Sequence, residues 1–152
     1  MVGLVEKQKS ILGLIYWPIK KKMYLAESGK GAFRHDEEWG KIEVSMMSEM
    51  QNSHALVSRH HLSEREKKLL DEMEISVVTS IGSSLKVTEI ASGDAEIYMT
   101  ATNKMKQWDT CASNCIISEA GGKMTDISGK EMVYNTESVS YTHLTLPTKR
   151  IV

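Results

Sequence analysis

From residue 55 onward, short apolar runs alternate with segments that begin and end at recognisable helix caps. The runs at residues 55–58, 75–81, 95–100 and 123–127 have the β-branched or apolar composition of buried strands. Strands and helices that alternate along one chain bury their apolar faces best when they are stacked in layers. This alternation therefore predicts a layered α/β fold.

The segments between these runs carry helix-end signals, and the predicted helices lie near residues 63–73, 84–92 and 109–120. Ser63, followed three residues later by Glu66, forms a capping box in which each side chain pairs with an otherwise free backbone amide. Ser83 is a suitable N-cap for the second helix, and Gly93 fits the position just beyond its end. Asp109 is the predicted N-cap of the third helix.

The first 45 residues have a different pattern. Apolar stretches are separated by charged or glycine-containing turns, and they lie at residues 2–5, 11–16, 23–26, 32–33 and 42–45. Short strands joined by tight turns pair with their neighbours in sequence, so we expect an antiparallel meander. Residues 1–137 then form one partial domain. Because an apolar strand already starts at Val2, we expect the domain to begin upstream of this chain.

Composition excludes several classes of protein. The 152 residues are 41% hydrophobic and 26% charged, which is typical of a globular domain rather than a disordered chain. The formal net charge of −1 gives no field that would attract a nucleic acid polymer or an anionic membrane. No apolar run reaches the roughly 18 residues of a membrane-spanning helix. Only two cysteines occur, so we expect the reducing cytoplasm rather than a secreted disulfide scaffold.

The last residues, 138–152, break the pattern of the chain. They show no coherent apolar period and end in Pro147-Thr148-Lys149-Arg150, followed by two apolar residues. This segment resembles translated sequencing-adapter read-through. We therefore expect an artefact that lies outside the domain and packs poorly after about Thr136.

Asp109 is the first candidate for chemistry, because it follows Trp108 at the start of the third predicted helix. An aspartate at such a position commonly serves as a cap alone. It can also hold a cation, since Mg²⁺ binds one or two carboxylates together with waters and substrate oxygens. Both interpretations stay open on the residues alone.

Two further segments contain residues that bind anions. Gly82 and Ser83 precede the second predicted helix, whose first amides are unpaired, and Lys86 follows one turn later. Arg59 and His61 lie in a loop after a predicted strand, where they can contact a phosphate and a ring. Alternatively, the serine only caps the helix, the lysine is solvated and the loop is merely polar. A zinc site has little support, because no suitable cysteine spacing accompanies the histidines.

Together these motifs resemble the inositol monophosphatase superfamily of metal-dependent, lithium-sensitive phosphatases. Trp108-Asp109-Thr110-Cys111-Ala112 is similar to the family's Trp-Asp-x-x-Ala motif, and Glu119-Ala120-Gly121-Gly122 is similar to the helix end that follows it. Gly82-Ser83-Ser84-Leu85-Lys86 is similar to the family's preceding helix start. The resemblance covers about residues 1–135. It implies a layered α/β sandwich of the inositol monophosphatase type, of which this chain is roughly the C-terminal half.

Within the superfamily, the chain is most similar to the 3′(2′),5′-bisphosphate nucleotidases, which remove a phosphate from adenosine 3′,5′-bisphosphate. Lys86 occupies a position where inositol phosphatases usually have an uncharged residue, and the loop that ends at His61 is similar to a nucleotidase segment. The resemblance implies that Asp109 binds a metal and that His61, Ser83 and Lys86 contact the nucleotide. An arginine of some nucleotidases has no counterpart near Met99, which leaves the substrate open.

Two acidic metal motifs of the family, a glutamate pair and Asp-Pro-Ile/Leu-Asp-Gly-Thr, would lie upstream of the segment that matches Val2 and are missing here. The resemblance therefore implies an Mg²⁺-dependent phosphatase of which this chain is an inactive fragment with no catalytic base of its own. The expected partner is a small phosphorylated substrate, and a homodimer stays open. The alternatives are an inositol monophosphatase, a related sugar-phosphate phosphatase and a non-catalytic nucleotide-binding fragment.

Overall fold

The computed structural model describes residues 1–46, 52–59, 62–82, 84–137 and 140–147, and these contain ten strands and three helices. The strands are β1 Val2–Glu6, β2 Lys9–Trp17, β3 Lys22–Glu27, β4 Gly31–His35, β5 Trp39–Ile42, β6 His54–Val57, β7 Val77–Ser80, β8 Ile97–Lys106, β9 Gly122–Asp126 and β10 Ser140–Pro147. The helices are α1 Glu64–Glu72, α2 Leu85–Ala91 and α3 Gln107–Glu119. None of these helices combines the length and apolar character needed to cross a membrane.

The first sheet is the predicted meander: β1 to β5 pair antiparallel in chain order. Its last strand was predicted at residues 42–45, and this position is wrong. A short turn places Trp39 opposite His35, so β5 begins earlier. The chain then leaves the sheet because the Val44 amide donates a hydrogen bond of 3.0 Å to the carbonyl of Ala120.

Helix α3 lies unusually close to one face of this sheet. A Cβ atom added at Gly13 would lie 2.1 Å from the carbonyl oxygen of Ala112, and one added at Gly3 would lie 2.5 Å from Cys111 Sγ. Glycine at both positions therefore permits the close approach of helix and sheet. Cys111 and Cys115 are buried, free thiols that pack as small apolar side chains.

The second sheet has the strand order β7-β6-β8-β10-β9. Strand β6 is parallel to β7 and β8, whereas β10 is antiparallel to β8 and β9. The sheet is therefore mixed: the strands that alternate with helices, β6 to β9, run parallel, and β10 is antiparallel to its two neighbours. Alternate residues of β6 face two hydrophobic clusters: Leu56 belongs to the larger one with α2 and α3, and Ala55 and Val57 belong to the smaller one with α1. The layers are the meander, α2 with α3, the mixed sheet and α1, which confirms the layered α/β fold.

The segment at the end of the chain corrects a prediction. Residues 140–147 form β10, which lies between β8 and β9 and pairs with both strands. Thr145 within it is fully buried, so the expectation of poor packing after Thr136 is wrong for this strand. Tyrosine and threonine favour strands, and pairing with β10 satisfies backbone groups of β8 and β9 that would otherwise lie unpaired at sheet edges. That residues 138–152 are an artefact in origin stays a prediction.

The capping residues correctly predicted the start of α1 and the end of α2, but not the N-cap of α2. Ser63 and Glu66 form the capping box of α1: the Glu66 amide donates to Ser63 Oγ at 3.2 Å, and the Ser63 amide donates to the Glu66 carboxylate at 2.6 Å. Gly93 lies just past α2 with φ of 76°. The N-cap of α2 is Ser84, one residue after the predicted Ser83, which lies outside the described residues.

Helix α3 begins earlier than predicted, because β8 runs directly into it. Lys106 is the N-cap, with extended backbone angles of φ −115° and ψ 164°. The assignment of Asp109 as N-cap is therefore wrong, since Asp109 is the third residue of the helix. Its carboxylate turns back and accepts the amide of Lys106 at 2.9 Å. Only this half of a capping box forms, because a lysine side chain has no acceptor.

Candidate functional site

Asp109 presents a carboxylate on the first turn of α3. Oδ2 accepts the hydrogen bond from the Lys106 amide, and within the described residues Oδ1 accepts none. The side chain is half-buried, and the helix N-terminus stabilises its negative charge. One oxygen is thus held in place by the backbone while the other is free to bind a cation. This geometry is compatible with both roles considered from the sequence. The carboxylate caps the start of the helix from its third position through Oδ2, and Oδ1 remains for a cation.

Ser84 connects the two candidate motifs. Its hydroxyl lies 3.3 Å from the carbonyl oxygen of Asp109 and 3.2 Å from Met1 Sδ, and the carbonyl is the better acceptor. The start of α2 therefore packs against the first turn of α3. Two segments 25 residues apart in sequence are brought together at this point.

Lys86 is buried rather than solvated, which excludes the simplest alternative for this residue. Its side chain is 2% exposed, and Nζ donates a hydrogen bond of 3.1 Å to the carbonyl of Ile81. Nζ also lies 4.5 Å from the centre of the Tyr98 ring, within range of a cation–π interaction. Burial lowers the pKa of Lys86 to about 8, and the charge of Glu66 opposes this shift.

Glu66 makes hydrogen bonds beyond the capping box of α1. It is 3% exposed, and its Oε1 atom accepts the amide of Ala101 in β8 at 2.8 Å, while Oε2 accepts Ser63 Oγ at 2.8 Å. Burial raises the pKa of the neighbouring Tyr98 to about 12, and the Glu66 charge adds to this effect. A buried carboxylate and a buried ammonium thus both contact β8, at Ala101 and at Tyr98. The capping pattern predicted only the local half of this arrangement.

The carboxyl ends of β6 and β7 also meet here. The amide of Ile81, just past β7, donates a hydrogen bond of 3.1 Å to the carbonyl of Val57 at the end of β6. Arg59, two residues further along the first loop, is exposed. His61 and Ser83, the two other residues predicted on the substrate side, lie outside the described residues.

A groove borders the other side of the first turn of α3. It has a volume of about 390 Å³ and is lined by Gly3, Val5, Gln107, Trp108, Cys111, Tyr134, Asn135 and Thr136. The Trp108 side chain is 65% exposed beside it. Gln107 fixes the far wall, since its Oε1 atom accepts the Asn135 amide at 2.6 Å.

The acidic residues nearby do not form a complete metal site by themselves. Within the part of the chain that the structure describes, no group of three or more His, Cys, Asp or Glu side chains could hold a metal ion. Asp109 is therefore a single candidate ligand there rather than part of a preformed metal site.

Comparison with known proteins identifies a family. The sequence model of the inositol monophosphatase family matches residues 1–151. The 3′(2′),5′-bisphosphate nucleotidase CysQ of Salmonella typhimurium is 32% identical over 133 residues, covering 88% of this chain and 52% of the relative. The 3′(2′),5′-bisphosphate nucleotidase 1 of Mus musculus is 28% identical over 145 residues, covering 90% of this chain and 46% of the relative. The chain spans about half the length of the curated relatives it matches.

Solved structures give the same fold. CysQ from Bacteroides thetaiotaomicron superposes with a TM-score of 0.83 and 25% identity, over 97% of this chain and 61% of that one. Inositol monophosphatase-II from Staphylococcus aureus superposes with a TM-score of 0.81 and 20% identity, over 97% and 54%, and supports the fold alone. Crystal structures of SaIMPase-II contain inositol monophosphate or 2′AMP.

Proposed function

The chain belongs to the inositol monophosphatase family, and we propose that the complete protein is a phosphatase whose substrate is adenosine 3′,5′-bisphosphate. The observation that carries the proposal is the junction of Ser84 with Asp109, which places a candidate anion-binding loop beside a candidate metal ligand. A phosphate ester bound at the loop would lie next to a cation bound at the carboxylate. The similarity to bisphosphate nucleotidases supports the choice of substrate.

We assign Asp109 to the metal side of the site and take the metal to be Mg²⁺. Its Oδ1 atom is available for coordination, while the Lys106 amide holds Oδ2 and so fixes the orientation of the carboxylate. When bound there, Mg²⁺ would lower the pKa of a water and stabilise negative charge on a phosphate ester. The rest of the chemistry assigned to this chain is positioning, since it contributes no catalytic base.

The substrate side comprises His61, Ser83 and Lys86, as the resemblance to nucleotidases implies. Ser84, which follows Ser83, is buried and faces Asp109, so the loop approaches the metal side directly. Arg59 is an exposed cation on the neighbouring loop and can attract an anionic substrate. A nucleotide with two phosphates would benefit most from this concentration of donors.

We further propose that the 152-residue chain alone is inactive. Asp109 is the one match to the family's acidic metal motifs, and Mg²⁺ demands near-octahedral coordination that a single carboxylate does not impose. Phosphate release from adenosine 3′,5′-bisphosphate should be absent with this chain and present, with dependence on Mg²⁺, once the upstream sequence is restored. Robust Mg²⁺-dependent turnover by the isolated chain would contradict the proposal.

A second candidate substrate is an inositol phosphate, favoured by the inositol monophosphate seen in SaIMPase-II. The complete protein should be assayed with both substrates under the same conditions. A higher kcat/KM for inositol 1-phosphate than for the nucleotide would show that the inositol phosphate is the preferred substrate. If neither is hydrolysed but the nucleotide binds, a non-catalytic nucleotide-binding protein remains.

A further inference from the structure

Gln107 is the first residue of α3, and it is only 8% exposed although its side chain carries a polar amide. Oε1 accepts the amide of Asn135 at 2.6 Å, and Nε2 donates to the carbonyl and to the hydroxyl of Thr136, at 3.3 and 2.8 Å. A backbone amide can only donate and a carbonyl can only accept, so these partners fix which end of the Gln107 side chain is the oxygen. Both ends of Gln107 are therefore bound to one short segment.

That segment, residues 134–136, is held on its other side by the meander. The amide of Tyr134 donates to the carbonyl of Gln8, in the turn between β1 and β2, at 3.0 Å, and Tyr134 is 1% exposed. Asn135 has a φ of 56°, a left-handed conformation that persists where the surrounding structure holds it. The bond from its amide to Gln107 supplies such a restraint. Gln107 thus ties the start of α3 to a segment that the meander already holds.

Asp109 lies on the same turn of α3, two residues after Gln107. The Lys106 amide donates to Asp109 Oδ2 at 2.9 Å, and the Thr110 hydroxyl donates to the Gln107 carbonyl at 3.2 Å. Lys106 is the last residue of β8, where it lies opposite Ser140 of β10. The strand side of this junction is thus held by the sheet, and the helix side is held by the Gln107 side chain.

We propose that Gln107 is a positioning residue, which fixes the start of α3 and so orients the Asp109 carboxylate. The inference rests on the proposed function, because an orientation of this kind serves a metal ligand. Gln107 acts without touching metal or substrate, since both polar ends of its side chain are bound to residues 135 and 136. Removing the side-chain amide would free the junction, and the bond from Lys106 to Asp109 would open more often.

The first test compares Gln107→Met with Gln8→Met in the 152-residue chain without ligand. Gln8 is exposed, and its side chain makes no hydrogen bond within the described residues, so the control makes the same chemical change on the surface. Amide hydrogen exchange of Lys106, relative to that of Ala120 at the far end of α3, should become at least about tenfold faster in Gln107→Met and stay unchanged in Gln8→Met. Equal acceleration of Lys106 and Ala120 would mean a general loss of stability and would overturn the proposal.

The conservative variant Gln107→Glu should restore the restraint. Glutamate still accepts the Asn135 amide, and the Thr136 hydroxyl can donate to it, so only the bond to the Thr136 carbonyl is lost. Lys106 exchange should therefore stay within about threefold of the wild-type rate, the effect of one ordinary hydrogen bond. If Gln107→Glu accelerates Lys106 exchange as strongly as Gln107→Met, the bond to Asn135 does not hold the junction.

A further measurement needs no substitution and so does not depend on a variant folding. In the unmodified chain, the side-chain amide protons of Gln107 should exchange at least about tenfold more slowly than those of Gln8, because they are buried and bound to Thr136. Equal exchange rates for the two side chains would show that Gln107 is not tied to residues 134–136, and the proposal would fail.

The complete protein, with its upstream sequence restored, separates this inference from the proposed function. Gln107→Met should raise the Mg²⁺ concentration for half-maximal release of phosphate from adenosine 3′,5′-bisphosphate by about tenfold, with the KM for the nucleotide nearly unchanged. If turnover depends on Mg²⁺ but this concentration does not change, the proposed function stands and the positioning role is wrong. If no turnover occurs but the Lys106 exchange results hold, the proposed function fails and the orientation of Asp109 by Gln107 stands.

Discussion

The carboxylate of Glu119, at the end of α3, accepts a hydrogen bond of 2.8 Å from the backbone amide of Gly31. Its other oxygen accepts the amide of Gly29 at 2.9 Å. Both glycines have positive φ angles, 78° for Gly29 and 89° for Gly31, so the turn between β3 and β4 can direct its amides at the helix. The conspicuous glutamate of the Glu-Ala-Gly-Gly helix end thus joins the helix to the meander.

Glu119→Gln should lower the free energy of unfolding by ~2 kcal/mol, because glutamine offers one acceptor oxygen where the carboxylate offers two. The matched control is Glu64→Gln, which breaks the pair with Lys67 on an 88% exposed side chain. Exposed pairs of this kind contribute about 0.2–1 kcal/mol at most. Urea denaturation of both variants is the measurement, and equal midpoints would contradict the role assigned to Glu119.

Gly13→Ala should destabilise the chain by about 1–3 kcal/mol or more, because the added methyl group meets the backbone of Ala112 rather than a flexible side chain. Gly40→Ala is the control on another strand of the same sheet, where nothing lies within 4 Å of the added atom. We expect its effect to stay within about 0.5 kcal/mol. An unchanged free energy of unfolding for Gly13→Ala would show that α3 does not approach the sheet as closely as described.

Asp109→Asn in the complete protein should reduce turnover by at least about 100-fold if Asp109 binds the metal. The free energy of unfolding should change by less than about 1 kcal/mol, because asparagine still accepts the Lys106 amide and only the favourable charge at the helix end is lost. Steady-state kinetics and thermal unfolding measure the two effects separately. Unchanged turnover would leave Asp109 with a capping role alone.

Buried Lys86 makes stability depend on pH. Because burial lowers its pKa from 10.5 to about 8, the unfolded chain binds more protons between these values, and the contribution of Lys86 to stability rises with pH there. Burial raises the pKa values of Tyr24, Tyr98 and Cys115 to about 12, so the folded chain binds more protons than the unfolded chain above their usual pKa values. Their contribution to stability therefore falls as the pH rises there.

The tyrosine and cysteine contributions are present in both the wild-type chain and Lys86→Met, so they cancel in the difference between the two free energies of unfolding. We expect the wild type to gain stability relative to the variant by up to about 1.4 kcal/mol per pH unit from pH 8 to pH 10. Denaturation curves at several pH values measure this difference. A constant difference across the range would mean that the Lys86 ammonium is not desolvated in the folded chain.

Several features could be predicted because they depend on residues close together in sequence. The capping box of Ser63 with Glu66 and the glycine after α2 are local, and both were confirmed. The layered α/β class follows from alternation along the chain. The Trp108–Ala112 motif was sufficient to indicate the family, because its residue types and spacing are specific.

Other features were decided only when distant segments met. The helix that carries Asp109 starts at Gln107 because β8 runs into it without a break. Strand β10 was missed because its stability comes from pairing with β8 and β9, which no local period reveals. Wherever a residue's role depends on neighbours far away in sequence, the pattern of residues alone could not predict it.

Lys86 and Glu66 show the difference most clearly. The sequence determined that a lysine follows a candidate anion-binding loop and that a glutamate closes a helix cap. Only the tertiary structure decided that both side chains are buried, with Glu66 bound to Ala101 and Lys86 to Ile81. The reason is physical: burial and desolvation are set by the strands and helices packed around a charge, and these come together only in the folded chain.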